Sequence, residues 1–206
     1  MTDSRTHWET VYKTKKPDAV SWYQPSLGLS LQFLQETGLP REAVIIDVGG
    51  GASTFIDDLL LLHYSNISVL DISSQALEYS KTRLGLRANS VKWLNADITK
   101  VDLPASGIDF WHDRAVFHFL TSENERQTYC DVLRKAVRAN GYVLIATFGP
   151  DGPKKCSGLD VVRYDSDILQ QTLGVNFELI SSKIEHHMTP FNTVQQFIYC
   201  LFRKMN

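Results

Sequence analysis

Ile46-Asp47-Val48-Gly49-Gly50-Gly51-Ala52-Ser53-Thr54 is the stretch that decides the fold. It ends a nearly continuous apolar run, Ala43 to Val48, on three glycines, and Phe55, Leu59 and Leu62 then recur at helical spacing. Glycines between a buried strand and a helix let the backbone turn tightly and come close to a ligand. The helix start beyond them offers free N–H groups. A dinucleotide site asks for a third spaced glycine where this chain has Thr54, so that fingerprint is incomplete. A glycine turn with no ligand is the plain alternative.

Working outward, short β-rich runs alternate with helical patterns. Ile67 to Asp71, Val91 to Ala96, Ile108 to His112 and Tyr142 to Phe148 read as strands. A helix opens at Ser73 or Ser74, and another opens on the Ser122-x-x-Glu125 capping box and is expected to stop at Asn140-Gly141. Such strands with intervening helices imply a parallel sheet covered on both faces. Phe177 to His187 and Val194 to Phe202 are joined too briefly for a parallel crossover and must run antiparallel. The expectation is an α/β, Rossmann-like, seven-stranded, mostly parallel sheet with helices on both faces and a C-terminal antiparallel hairpin. Leu27, Leu31 and Leu34 form a helix stripe before the first strand. The aromatic segment before it, with Trp8, Tyr12, Trp22 and Tyr23, shows no core period and is expected to act as a lid. The division is one domain over 1–206, with lid and helix in 1–38 and the catalytic core in 40–206.

Composition narrows the class. The chain has 206 residues, 43% hydrophobic and 21% charged, which fits one globular domain. Its formal net charge of -2 gives no electrostatic reason to expect nucleic acid. Cys130, Cys156 and Cys200 are odd in number and far apart, which fits no disulfide framework and no zinc site. No apolar run is long enough to span a membrane, so a cytoplasmic location is expected.

Four acids close successive strands: Asp47, Asp71, Asp97 and Asp113. In open α/β sheets ligands sit outside those strand ends, and a carboxylate at the place of Asp71, 20 residues after Gly51, accepts hydrogen bonds from ribose hydroxyls. Together, Asp47-x-Gly49-x-Gly51, Asp71, Asp97-Ile98 and the final hairpin resemble the class I, seven-strand S-adenosylmethionine-dependent methyltransferases. That resemblance implies Gly49 and Gly51 against the methionine portion, Asp71 on the ribose, and Asp97 and the Ile98 amide at the adenine. It also implies Ile72 over one adenine face and Asp47 near the glycine loop or the methionine ammonium. Gly50, Ser53, Trp22 and Asp113 complete the cofactor set. Ser53 stands where many members have a third glycine, and it or Thr54 is expected to cap the following helix. Trp8-x-x-x-Tyr12 with Trp22-Tyr23, and Asp113-Arg114-Ala115, are similar to segments of protein-lysine methyltransferases. The Asp-Arg pair is similar to thiopurine methyltransferases as well.

Methyl transfer needs alignment and exclusion of water rather than a nucleophilic triad, and no Ser-His-Asp arrangement or metal cluster is visible in the sequence. Asp113, Arg114 and His118 are expected nearest the methyl position as the catalytic group. His118 stands either as a proton acceptor or as a buried, hydrogen-bonded histidine. The segment from Gly149 to Asp165, with Arg163 or Tyr164, is expected to bound the acceptor pocket. His186 and His187 fall on opposite strand faces and do not share a metal. The acceptor is expected to be a small molecule or a protein side chain. A nicotinamide-dependent oxidoreductase and a catalytically silent partner subunit are the alternative readings.

Overall fold

The computed structural model describes residues 4–206. Its main sheet is built from β1 (Val44–Val48), β2 (Asn66–Asp71), β3 (Val91–Asn95), β4 (Ile108–Arg114), β5 (Val137–Phe148), β8 (Phe177–Met188) and β9 (Val194–Lys204). Their order is β3-β2-β1-β4-β5-β9-β8. β1 to β5 run parallel, and β9 enters antiparallel to both β5 and β8. The expected seven-strand sheet and terminal hairpin are therefore present. The order reverses between β1 and β4, so the ligand crevice belongs above those two strand ends.

Alternation along each strand sorts the core into two layers. Ile46, Trp111, Val143 and Ile145 pack on one face with α5 (Glu123–Ala136) and α6 (Ser166–Leu173). Ile45, Phe110, Leu144 and Ala146 pack on the other with α2 (Gly28–Glu36), α3 (Phe55–Leu61) and α4 (Ser74–Leu84). Each fully buried large side chain is worth about 1.5–3 kcal/mol, so both layers stabilise the strand ends that carry the site.

Two local expectations are corrected, and a third segment gains detail. The N-terminal aromatic segment is helical, as α1 (Ser4–Thr14), because Trp8, Val11 and Tyr12 fall at i, i+3 and i+4 on one face. α5 keeps its Ser122–Glu125 capping box but stops at Ala136, not at Asn140-Gly141. Val137 already lies in β5, and the register against β4 jumps between Ile108 and Phe110, so Asn140 (φ 61°) belongs to an irregular strand entry. The Gly149–Asp165 segment contains a small hairpin, β6 (Lys155–Cys156) and β7 (Leu159–Asp160). Its Ser157-Gly158 turn has φ of 49° and 81°, the paired positive values of a tight hairpin.

Candidate functional site

The three glycines bend the chain sharply at the end of β1. Gly49 has φ 68°, and a Cβ there would lie 2.0 Å from Val116 Cγ2. At Gly50 a Cβ would meet Asp47 Oδ2 at 2.1 Å. No larger residue fits either position without displacing a wall of the site. Gly51 serves differently. Its N–H donates to Asp71 Oδ2 at 3.0 Å and its carbonyl accepts from the Ser80 hydroxyl at 2.6 Å.

Asp71 is buried, and its second oxygen accepts from the Ser73 amide at 2.8 Å. Burial pushes this carboxyl up to about 6, against the two amide hydrogen bonds. Asp97, after β3, goes the other way. Burial works upward there, but hydrogen bonds from the Thr99 hydroxyl and amide and from Lys100 outweigh it and hold the carboxyl below its ordinary value. Asp47 is 1% exposed, and its Oδ1 accepts from His112 Nδ1 at 2.6 Å. That bond makes Nδ1 a protonated nitrogen, and Nε2 shares a hydrogen bond with the Ser30 hydroxyl at 2.9 Å. A Ser30–His112–Asp47 chain thus exists where the sequence shows no such arrangement. Ser30 is fully buried and does not line the cavity, so the chain orients Asp47 rather than activating a serine. Asp47 Oδ2 has no hydrogen-bond partner.

These groups border one cavity. Asp47, Gly49, Gly50, Ser53, Asp71, Ile72, Asp97, Ile98, Trp22 and Arg114 all line it, as does Cys156, whose thiol is pushed up to about 11 by burial.

Two N-terminal pieces line the cavity. α1 lies across the start of α4: Glu9 accepts from the Ser74 amide at 2.6 Å and hydroxyl at 2.9 Å, and Arg5 donates to the Ile72 carbonyl at 2.7 Å. The following strap, Ser21 to Gln24, is held from below. Arg114 Nη1 donates to the Trp22 carbonyl at 2.8 Å and its Nε to Tyr199 Oη at 2.7 Å. The Tyr199 hydroxyl donates to Glu185, which also accepts from Gln24. His187 accepts from Gln24 through Nδ1 and donates through Nε2 to the Ser21 carbonyl. Thr54 heads α3, but its hydroxyl donates to the Gln24 carbonyl. Ser53 instead accepts from the Phe55 amide.

Several expected residues lie elsewhere. Gly51 is behind the lining. Asp113 is fully buried in the other core layer, accepting from Tyr129 Oη at 2.7 Å and from the Val116 and Phe117 amides. His118 is also fully buried and outside the lining. Its Nδ1 accepts from the Phe148 amide at 3.2 Å, and burial, with the charge of Arg114 adding, pushes it down to about 3. Arg163 donates to the Pro150 carbonyl and Tyr164 packs in the core, so only Cys156 from that segment reaches the cavity. His112, Gln24 and Val116 are lining residues that local sequence patterns do not single out, and Glu125, read only as a helix cap, lines the cavity as well. Among the described residues no group of three or more His, Cys, Asp or Glu side chains is placed to hold a metal, and no helix is long and apolar enough to cross a membrane.

Residues 46–145 match a family described as a methyltransferase domain. Human EEF1A lysine methyltransferase 2 is 22% identical over 158 residues, covering 70% of this chain and 67% of that protein. Among solved structures, Burkholderia thailandensis 1,6-didemethyltoxoflavin-N1-methyltransferase, with bound S-adenosylhomocysteine, superimposes with a TM-score of 0.72 at 17% identity. That match covers 98% of this chain and 87% of the other. A SAM-dependent methyltransferase from Anabaena variabilis gives 0.75 at 14% identity, covering 99% and 96%.

Proposed function

We propose that this chain is a seven-strand S-adenosylmethionine-dependent methyltransferase whose cavity holds S-adenosylmethionine and presents it to a nitrogen nucleophile; the methyltransferase domain matched over residues 46–145 supports this. The observation that supports this most is the row of carboxylates Asp47, Asp71 and Asp97, which line one cavity from the ends of three adjacent strands. The buried, unpartnered Asp47 Oδ2 suits an ammonium, and the cradle at Gly49 and Gly50 that a Cβ would fill suits a close-fitting ligand. Asp71 would accept from ribose hydroxyls, and Asp97 from the adenine amine between Ile72 and Ile98. When bound, this cofactor supplies an electrophilic methyl group on a cationic sulfur. The chain's own task is then alignment and exclusion of water, which α1 and the Ser21–Gln24 strap perform by covering the cavity.

The acceptor is read from the relatives' names, a protein lysine in one and a ring nitrogen in the other. The lining toward the strap is aromatic, with Trp22, Tyr23 and Phe119, and among the described residues Arg114 is its one Lys or Arg side chain. We read the whole chain as one catalytic unit working in the cytoplasm, in keeping with three free, buried cysteines. Calorimetry should show S-adenosylhomocysteine binding while a nicotinamide dinucleotide gives no heat. Labelled methyl groups should then appear in lysate protein or in its small-molecule filtrate, which identifies the acceptor class. Absence of S-adenosylhomocysteine binding overturns the reading.

His118 takes a structural role in this scheme. With Nδ1 occupied by the Phe148 amide, the His118→Asn variant should keep its cofactor affinity and stay within about threefold of wild-type turnover. A general base contributes about 100- to 10,000-fold. A loss on that scale at unchanged affinity restores His118 as the base.

A further inference from the structure

We propose that two copies of this chain join edge to edge along β8, in an antiparallel pairing centred on Ile184. β8 is the terminal strand of the sheet, and among the described residues only β9 pairs with it. A long exposed edge strand is a ready template for another strand. Its first part is closed off. The Gln170 side chain takes the Phe177 carbonyl and the Leu179 amide, and a register shift follows between Leu179 and Ser181. The regular, uncapped run that remains is Ser181–Met188, and Ile184 stands near its middle.

Identical antiparallel strands related by a two-fold axis through the sheet can pair only in registers that keep each residue on its own face, so neighbouring choices are centred on 183, 184 or 185. Centring on Lys183 sets Lys183 opposite its own copy, and centring on Glu185 sets two carboxylates opposite each other. Like charges directly opposed are destabilising. Centring on Ile184 instead sets Lys183 opposite Glu185 twice, Ser182 opposite His186 twice, and Ile184 opposite Ile184. Ile184 is 47% exposed and lies beside Ile198 of β9. The pairing therefore makes a continuous apolar row, Ile198–Ile184–Ile184–Ile198, across the junction. The neighbouring Met188 and Val194, cross-strand partners that are both exposed, extend the apolar border of the same face. Lys183 also pairs with Glu36, and Glu185 also accepts from Gln24 and Tyr199, so the junction extends existing polar pairs. The occupant that matches this edge in charge order and in apolar spacing is a second copy of the edge itself.

Light scattering across a concentration series should show a monomer–dimer equilibrium for the wild-type chain. Ile184→Lys, which sets two ammonium groups on the axis, should be monomeric while binding S-adenosylhomocysteine normally. The native cysteines are buried, so Ile184→Cys introduces an isolated exposed thiol. Opposed Cα atoms in antiparallel strands are about 4.5–5.5 Å apart, inside the range of roughly 4.4–6.8 Å that a disulfide spans. Mild oxidation should cross-link Ile184→Cys into a dimer much faster than Val175→Cys, a control position that is 93% exposed. A wild-type chain monomeric at every concentration, a dimer that survives Ile184→Lys, or cross-linking no faster at 184 than at 175 overturns the proposal.

Discussion

Replacing Asp71 with alanine should weaken cofactor binding by about 1.5–3 kcal/mol, the scale of hydrogen bonds to a charged group, or roughly a 10- to 150-fold rise in Kd. The carboxylate is already oriented, since the Gly51 amide fixes one oxygen and the Ser73 amide the other. Each oxygen keeps acceptor capacity for a donor in the cavity that Asp71 lines. The pH dependence follows from the same burial. With its folded value raised from 3.8 to about 6, Asp71 favours the free folded protein below about pH 4 and withdraws that contribution as pH rises through 6. Ribose hydroxyls favour the ionised form, so wild-type affinity should climb as pH passes through about 6. Asp71→Asn should lose that climb along with the affinity. Calorimetry across this range on variants of unchanged circular dichroism makes the check. An unchanged Kd in Asp71→Ala removes Asp71 from the ribose role.

The sheet, its terminal hairpin and the glycine turn were legible because their signals are local. Apolar runs, a capping box at Ser122 and Glu125, and a connection too short for a crossover each act within a few residues. α1 was less so, since its three apolar positions sit among polar and charged neighbours and are held by tertiary contacts of Arg5 and Glu9. The Ser30–His112–Asp47 chain could not be read at all. Its members lie 82 and 65 positions apart and meet only because α2 packs on the sheet where β1 and β4 are neighbours. Asp113 and Arg114 illustrate a signal that was present. Adjacent strand residues face opposite sides, so a chain that turns Arg114 up to the strap sends Asp113 into the layer of Trp111 and Tyr129.

That buried position makes Asp113→Ala the substitution with the largest expected effect on folding, about 3–5 kcal/mol. It strands the Tyr129 hydroxyl and the Val116 and Phe117 amides in a dry core. Each orphaned group costs about 1–3 kcal/mol, and relaxation of the turn reduces the sum. Trp111 Nε1 also donates to Tyr129 Oη at 2.8 Å, so the loss reaches the centre of the core layer. Asp113→Asn should be milder, because its amide oxygen still accepts from the two backbone N–H groups. Wild-type stability carries a signature that both variants remove. Burial raises Asp113 from 3.8 to about 6, against hydrogen bonds from Tyr129 and the two amides. Its contribution is therefore full below about pH 4 and is lost as pH rises through 6. Urea unfolding at several pH values should show that decline flattened in both variants, with Asp71 supplying the remainder. Val116 forms the wall against which Gly49 turns, so the alanine variant should also bind cofactor more weakly even where it remains folded. A variant as stable as wild type would mean that the turn after β4 is held by packing of Val116 and Phe117 alone.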